Sequence, residues 1–256
     1  MIHTTEIASS TIASDNPIHQ RLLFAYVEAA KHVSGNLLDI GCGEGRGLDY
    51  LRDNVDSYTG IDKNPIVLDA LKKQYPNDTF LQMNIPPFAG LEDNTFDTAV
   101  SFQVVEHIED DVKYIKEIHR VLKPGGIAIL STPNIKMSLT RNPWHVREYT
   151  CKEFENLLSK QFSSVECLGV YGDDAVMQYF EENKRGVEKF TRFDIFNLQY
   201  KLPRKWLEVP YNIANRMNRK KIMDSNDSLV NGINIDSFTL DKADDTCFDL
   251  FYIARK

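Results

Sequence analysis

The chain has 256 residues and a net charge of −7, with 42% hydrophobic and 26% charged residues. This composition is that of an ordinary globular protein, so it excludes the intrinsically disordered, collagen-like and coiled-coil classes. The acidic balance leaves no basic footprint over the whole chain of the kind that nucleic-acid-binding proteins carry.

The four cysteines, Cys42, Cys151, Cys167 and Cys247, are far apart and show no spacing typical of a zinc or disulfide framework. Such isolated thiols are typical of a reducing cytoplasm. The first sixteen residues lack the basic and apolar regions of a signal peptide, and no stretch of about 18 apolar residues occurs. We therefore expect a soluble cytoplasmic protein without a metal site or a membrane-spanning helix.

From residue 17 to about residue 170, short apolar runs alternate with amphipathic helical periods. Strands that alternate with helices predict a parallel sheet with helices on both faces. Six strands are predicted here: Asn36–Ile40, Ser57–Ile61, Thr79–Met83, Phe96–Phe102, Gly126–Thr132 and Ser164–Val170. Helices are predicted over Pro17–Val33, Leu48–Val55, Pro65–Tyr75, Val112–Leu122 and Lys152–Leu158.

The closing segment Thr246–Ala254 predicts a seventh strand, with apolar residues on both faces as in a covered sheet. The interval of roughly 75 residues before it is too long for a bare loop, so it must carry its own structure. Helical periods occur in this interval at Ala175–Phe180 and Lys205–Met217. We predict a main domain formed by 1–171 with 246–256, and an inserted cap over 172–245.

A glycine-rich loop follows the first strand, where Leu37–Gly47 has the sequence LLDIGCGEGRG. Glycine allows the loop to turn sharply and a ligand to lie against its backbone. The dinucleotide fingerprint requires a third glycine at the position of Arg46, which argues against a dehydrogenase. Twenty-one residues after Gly41, Asp62 ends the second strand. A carboxylate there can accept both hydroxyl hydrogens of a ribose, whereas Asn64 is better placed to cap the next helix.

Further blocks follow the later strands: Met83-Asn84-Ile85, then SFQVVEHIED, then VLKPGGIAILSTPN. In this order the blocks resemble a class I S-adenosylmethionine-dependent methyltransferase of the small-molecule type, over about residues 36–170. The resemblance implies a Rossmann-like α/β fold with a seven-stranded, mostly parallel sheet, helices on both faces and an antiparallel last strand. The helical cap would be inserted between strands six and seven. The implied cofactor is S-adenosylmethionine, with S-adenosylhomocysteine as product.

The same resemblance implies the cofactor contacts. Asp39, Gly41 and Gly43 would lie at the methionine end of the cofactor, and Asp62 would hold the ribose. Many relatives carry Asp where this chain has Asn84, which alters a hydrogen bond to the adenine. The remaining cofactor-binding residues that the resemblance implies are Lys63, Ile85, Gln103 and Val104.

Two histidines are candidate catalytic residues. Methyl transfer from a sulfonium is accelerated mainly by holding the acceptor near the methyl group, and a base is needed only when the acceptor must lose a proton. His107 follows the fourth strand, and His145 lies in the loop RNPWHVREYT after the fifth, where α/β sheets place ligands. The alternatives are a structurally packed His107 and an ordinary loop histidine at 145. The expected substrate residues beside His145 are Trp144, Arg147, Glu148 and Tyr149.

The segment 184–221 contains eleven Lys or Arg and three acidic residues, a local balance of +8. Its aromatic residues are Phe190, Phe193, Phe196, Tyr200, Trp206 and Tyr211. One interpretation is a small helical cap with solvated lysines. The other is a lid whose charges, including Lys220 and Lys221, attract an anionic or amphiphilic acceptor or make a peripheral membrane contact.

The leading hypothesis is therefore methylation of a small-molecule or glycan-like acceptor at oxygen. An RNA methyltransferase that uses 184–221 as its footprint is an alternative, against which the pI of about 5.4 counts. A non-catalytic S-adenosylmethionine-binding protein is another. A DNA partner is not expected, because the fourth strand is followed neither by an N-P-P-Y type string nor by a cysteine nucleophile.

Overall fold

The computed structural model describes residues 12–192, 194 and 197–256. The first eleven residues, on which the expected lack of a signal peptide partly depends, and the aromatic residues Phe193 and Phe196 lie outside the described residues. Within the described residues, eight strands form one sheet in the order β3-β2-β1-β4-β5-β8-β6-β7. The strands are β1 (Asn36–Ile40), β2 (Ser57–Asp62), β3 (Thr79–Gln82), β4 (Phe96–Phe102), β5 (Leu122–Pro133), β6 (Ser164–Gly172), β7 (Phe238–Lys242) and β8 (Asp249–Arg255).

Helices cover both faces of this sheet, because apolar residues point alternately to either side of each strand. Leu37 and Ile129 belong to one core cluster, while their neighbours Leu38 and Leu130 belong to the other. The helices of the described residues are α1 (Asn16–Ala29), α2 (Leu48–Arg52), α3 (Pro65–Gln74), α4 (Asp111–Val121), α5 (Cys151–Leu158), α6 (Asp174–Thr191), α7 (Leu198–Lys201), α8 (Arg204–Ser225) and α9 (Asp227–Gly232).

The predicted Rossmann-like architecture is confirmed, with one strand more than the sequence indicated. Strand β8 is antiparallel to both neighbours, pairing Ile253 with Ile129 of β5 and Phe251 with Leu168 of β6. The additional strand β7 pairs antiparallel with β6 at the sheet edge, inside the range 172–245 that was predicted to be helical. In the five-residue β7 only Phe238 and Leu240 alternate with polar residues, a pattern too short to predict a strand from the sequence.

The inserted range packs directly on the main core. Helices α6 and α8 contact each other, and α9 contacts α1. Val176, Tyr179, Ile222 and Val230 from the inserted range share one buried cluster with Phe24 of α1. The described helices include none that is long and apolar enough to cross a membrane.

A buried ion cluster ties the start of α1 to α8. The Asp15 side chain has no exposed surface and accepts hydrogen bonds from Nη1 of Arg216 at 2.7 Å and Nη1 of Arg219 at 2.9 Å. Next to it, the side-chain amide Nδ2 of Asn16 donates hydrogen bonds to the carbonyl oxygens of Val230 and Ile233, both at 2.8 Å. The first turn of α1 is therefore anchored on the inserted range.

We expect Asp15→Asn to lower the free energy of unfolding by about 3 kcal/mol, because two partly buried guanidinium groups lose their buried counter-charge. Urea denaturation followed by circular dichroism measures the change. The control Glu28→Gln removes an ion pair with the exposed Lys31. It should lower the free energy of unfolding by less than about 1 kcal/mol. Equal losses in the two variants would contradict a stabilising role for the Asp15 cluster.

Candidate active site

The larger of two neighbouring cavities lies where β1, β2 and β4 end. It has a volume of about 580 Å³. The carboxyl ends of parallel strands meet at one edge of a sheet, which is where α/β folds bind ligands. Eight of the nine predicted cofactor residues line this cavity: Gly41, Gly43, Asp62, Lys63, Asn84, Ile85, Gln103 and Val104.

The glycine loop has the backbone shape that the sequence predicted. Gly41 and Gly43 adopt positive φ angles of 78° and 52°. A Cβ at Gly41 would lie 2.5 Å from Cγ2 of Val104, so only glycine fits there. At Gly43 a Cβ would meet no atom within 4 Å, which leaves open space for a ligand against the loop.

The Asp62 carboxylate is held in position by backbone amides. Its Oδ2 accepts from the amide of Gly43 at 3.1 Å, and its Oδ1 accepts from the amide of Asn64 at 2.8 Å. Asn64 itself caps α3, since its side chain accepts from the amide of Ile66 at 3.0 Å. The structure thus separates the two roles considered for this turn, because Asn64 caps the helix while Asp62 faces the cavity.

Asp39, the ninth predicted cofactor residue, is buried beneath the loop and does not line the cavity. Its Oδ2 accepts from the hydroxyl of Tyr58 at 2.7 Å, while Oδ1 has no hydrogen-bond partner in the described part of the chain. Burial raises the pKa of the Asp39 carboxyl to about 7. An unpartnered carboxylate oxygen close to a ligand cavity fits a cationic group such as an ammonium.

Helix α1 forms a wall of this cavity that the sequence pattern did not predict. His19, Leu22 and Tyr26 all line it. Tyr26 packs edge-on against Phe102 at the end of β4, with ring centroids 4.7 Å apart. The helical period of α1 indicated a packed face, but a period does not show which element lies opposite.

The two candidate histidines lie at the boundary between the cavities. His107 lines the first cavity, and His145 lines the second. Their rings meet edge to face, with centroids 5.0 Å apart. Nδ1 of His107 lies 2.9 Å from the carbonyl oxygen of Trp144, a contact that requires the proton on that nitrogen.

The side chain of His145 is oriented by a carboxylate and an amide. Its Nδ1 lies 2.6 Å from Oε1 of Glu148, and its Nε2 lies 2.8 Å from Nδ2 of Asn142. The amide of Trp144 donates to Oδ1 of Asn142, which directs Nδ2 of Asn142 toward the imidazole. Nδ1–H therefore donates to Glu148 and Nε2 accepts, the tautomer of a general base. Ser138 donates to the other oxygen of Glu148.

The second cavity, of about 200 Å³, lies between the sheet edge, α1, α6 and α8, and is termed the cap cavity below. Of the four predicted substrate residues, Glu148 lines it, and Trp144, Arg147 and Tyr149 line neither cavity. Arg147 and Tyr149 both bond the carboxylate of Asp111 instead. Their role in the structure is to fix the loop that carries His145.

Charges around the cap cavity are balanced in pairs. Arg21 lies 3.0 Å from the buried Asp249, and Arg219 lies 2.9 Å from the buried Asp15. The hydroxyl of Tyr179, which also lines the cavity, is buried without a partner in the described residues. Lys220 and Lys221, which we expected near the acceptor, are exposed and do not line the cap cavity.

Three side chains at this boundary could hold a metal ion. Glu106, His107 and His145 place one donor atom each within 4.8 Å of one another. Glu106 is fully buried, its Oε2 accepts from the hydroxyl of Thr132, and burial raises its pKa to about 7. Both ring nitrogens of His145 already contact Asn142 and Glu148, so a metal would have to displace one of them.

Comparison with known proteins agrees with this geometry. Residues 38–130 match the family model described as a methyltransferase domain. The chain is 34% identical over 167 residues to a probable S-adenosylmethionine-dependent methyltransferase of Mycolicibacterium smegmatis, covering 62% of this chain and 65% of that protein. It is 29% identical over 126 residues to a ubiquinone biosynthesis O-methyltransferase of Albidiferax ferrireducens, covering 46% of this chain and 50% of that protein.

A solved structure from Thermotoga maritima, described as a possible histamine N-methyltransferase, has the same fold. It superposes with a TM-score of 0.58 at 15% identity, over 93% of this chain and 91% of that one. The sheet, the glycine loop and the cavity at its end define a class I methyltransferase fold. The matched methyltransferase domain and the S-adenosylmethionine-dependent relatives support a class I S-adenosylmethionine-dependent methyltransferase, a family whose cofactor is S-adenosylmethionine. It spans between half and two thirds of the curated relatives described above.

We expect Asp39→Asn to stabilise the cofactor-free chain at pH 8 and to leave its stability unchanged at pH 4. The folded-state pKa is raised from 3.8 to about 7, so ionised Asp39 disfavours folding increasingly as pH rises through this interval. At pH 8 the free energy of unfolding of Asp39→Asn should exceed that of the unaltered chain by on the order of a few kcal/mol. Thermal unfolding across pH measures it, with the exposed Asp56→Asn as control. A pH-independent difference would contradict the raised pKa.

Proposed function

We propose that this chain transfers a methyl group from S-adenosylmethionine to a hydroxyl of a small-molecule or glycan-like acceptor bound in the cap cavity. The observation that carries the proposal is the oriented His145–Glu148 pair. It lies at the boundary between the cap cavity and the larger cavity, which is termed the cofactor-side cavity below. A base beside the acceptor is needed for a hydroxyl, which is a weak nucleophile until it loses its proton.

The residues of the larger cavity suit the cofactor. Gly43 leaves room for its methionine end, and the anchored carboxylate of Asp62 can accept from the ribose hydroxyls. Near the adenine end we assign Lys63, Asn84 and Ile85, and near the sulfonium Gln103 and Val104. When bound, S-adenosylmethionine supplies a methyl group on a positively charged sulfur.

The chain's own residues then act on the acceptor. The acceptor hydroxyl takes the place of the Asn142 amide at Nε2 of His145 and gives its proton to that nitrogen. Glu148, on the opposite nitrogen, stabilises the imidazolium that forms. The acceptor oxygen would thereby keep the electron pair for the new bond to the methyl carbon, and the bond from that carbon to sulfur would break to leave S-adenosylhomocysteine. His107, on the cofactor side, closes the boundary against water.

The cap cavity favours an uncharged acceptor rich in hydroxyl groups. Each of its two arginines faces a buried aspartate, so an anion would compete with an existing ion pair. Polar groups available for hydroxyls include Tyr179 and Asn215, while Phe180 and Phe248 supply aromatic surface. A sugar ring combines hydroxyl edges with apolar faces, and this is the chemistry that such a lining recognises.

The alternatives are less well supported. An RNA footprint needs accessible positive charge, yet Arg204, Arg216 and Arg219 of the segment 184–221 already contact carboxylates. A purely binding role gives no reason for a histidine whose tautomer is fixed on both nitrogens. We therefore favour catalysis on a small acceptor.

We expect Asp62→Ala to weaken binding of S-adenosylhomocysteine by at least tenfold. The variant loses two hydrogen bonds from the ribose hydroxyls to the charged carboxylate, and each contributes about 1.5–3 kcal/mol to the binding free energy. Isothermal titration calorimetry measures the affinity, and Asp69→Ala, which removes a carboxylate that is 68% exposed on α3, is the matched control. Unchanged affinity in Asp62→Ala would remove this residue from the cofactor site.

We expect His145→Gln to lower kcat by about 10²–10⁴-fold, because the general base is lost. The assay follows S-adenosylhomocysteine release with an acceptor identified in a screen of hydroxylated sugars and phenols. Affinity for S-adenosylhomocysteine should stay within twofold, since His145 lines the other cavity. His32→Gln, on an exposed position, is the control. Normal turnover in His145→Gln would contradict its assignment as the base.

A further inference from the structure

The outward side of α8 carries a row of exposed apolar side chains, termed the α8 stripe below. Trp206, Val209, Ile213 and Met217 follow one another at intervals of three or four residues, which places them on one face of the helix. Their exposed fractions are 70, 59, 45 and 58%. A contiguous apolar row of this kind on a protein surface marks a contact site.

This stripe is separate from the side of α8 that packs on the protein. Asn212, Asn218 and Ile222 form the buried side of the helix. An ordinary surface helix has a single apolar face, directed at the core. Packing within the described chain therefore does not account for Trp206 and its neighbours.

Lysines lie at both ends of the stripe, while Glu208 is an acidic residue of the same helix. Lys205 lies near its start and the exposed Lys220 and Lys221 at its end, with Asp224 one turn further on. Beside it, a notch of about 170 Å³ between α6 and α8 is lined by Arg185, Lys189 and Lys221, with Glu182 as the acidic residue. Arg204, Arg216 and Arg219 of the segment 184–221 are paired with carboxylates, so the charge available to an anionic surface comes from exposed lysines such as Lys205, Lys220 and Lys221.

We propose that the α8 stripe docks the protein on an anionic lipid bilayer. The four apolar side chains would enter the boundary between headgroups and acyl chains, and the lysines would contact lipid phosphates. Tryptophan is favoured at that boundary because its ring is apolar and its N–H stays hydrated. An exposed apolar row flanked by lysines has the composition of helices that lie in a membrane interface.

The test uses the complete purified chain and vesicles of two compositions. One contains equal amounts of phosphatidylglycerol and phosphatidylcholine, and the other phosphatidylcholine alone. We expect sedimentation with the anionic vesicles only, weaker at high salt, and a blue shift of tryptophan emission on binding. Trp206→Phe should abolish most of the shift and preserve binding, because the other tryptophan, Trp144, lies in the loop beside His145.

Two variants test the apolar and the charged parts separately. Ile213→Ser with Met217→Ser should weaken vesicle partition by at least tenfold. Lys220→Glu with Lys221→Glu should weaken it by roughly thirtyfold or more, from the usual effect of a lysine near an anionic surface.

Control variants on α3, away from the stripe, carry a single serine substitution and a double charge reversal. They are Ile66→Ser, at a position 79% exposed, and Lys72→Glu with Lys73→Glu. The controls should bind vesicles as the unaltered chain does. Calorimetric binding of S-adenosylhomocysteine verifies that each variant is folded.

Three results would overturn the proposal. The first is equal partition into the two vesicle types. The second is an equal loss for the Lys72/Lys73 and Lys220/Lys221 variants, which would indicate general electrostatics without a docking face. The third is a dimer in sedimentation equilibrium that Ile213→Ser dissociates, together with no vesicle binding, which would show that a second copy covers the stripe.

Discussion

Both cavities depend on one backbone contact, in which the carbonyl oxygen of Glu106 accepts from the amides of Val146 and Arg147 at 2.7 and 3.3 Å. This contact holds the loop after β5 against the turn after β4. The ring of His107 adds a second connection to the same loop at the carbonyl of Trp144. Because β4 and β5 are neighbours in the sheet, the loop is fixed at the edge where ligands bind. A histidine on a free loop would have no defined position, whereas His145 is held before any acceptor arrives.

Helix α1 is the second element on which the site depends, because its two sides contribute to different cavities. Ile18 and Arg21 line the cap cavity, while Leu22 and Tyr26 line the cofactor-side cavity. The buried Asp15 at its start anchors the same helix on α8. A single helix of 14 residues therefore sets the distance between the walls of the two cavities. Precise positioning of two reactants is the main requirement of an in-line methyl transfer.

The sequence predicts most of the cofactor-side cavity because residues such as Gly41 and Asp62 directly follow strands of a parallel sheet. Topology alone brings such residues together. It does not specify the direction of side chains in irregular loops, which explains why Arg147 and Tyr149 were expected beside His145 yet turn to Asp111. The walls from α1 and the edge strand β7 were missed for a similar reason, since both depend on tertiary neighbours and not on local pattern.

Charge counted along the sequence also differs from charge presented at a surface. Within the segment 184–221, Arg216 and Arg219 are directed inward to Asp15, and Arg204 pairs with Glu109. The cap cavity is consequently balanced, and a ligand there meets hydrogen-bonding groups without a strong net field. The remaining positive charge lies outside, where salt screens it within about 8 Å at physiological ionic strength. In the proposed roles, the side of α8 that lines the cap cavity therefore differs from the side that carries the exposed lysines.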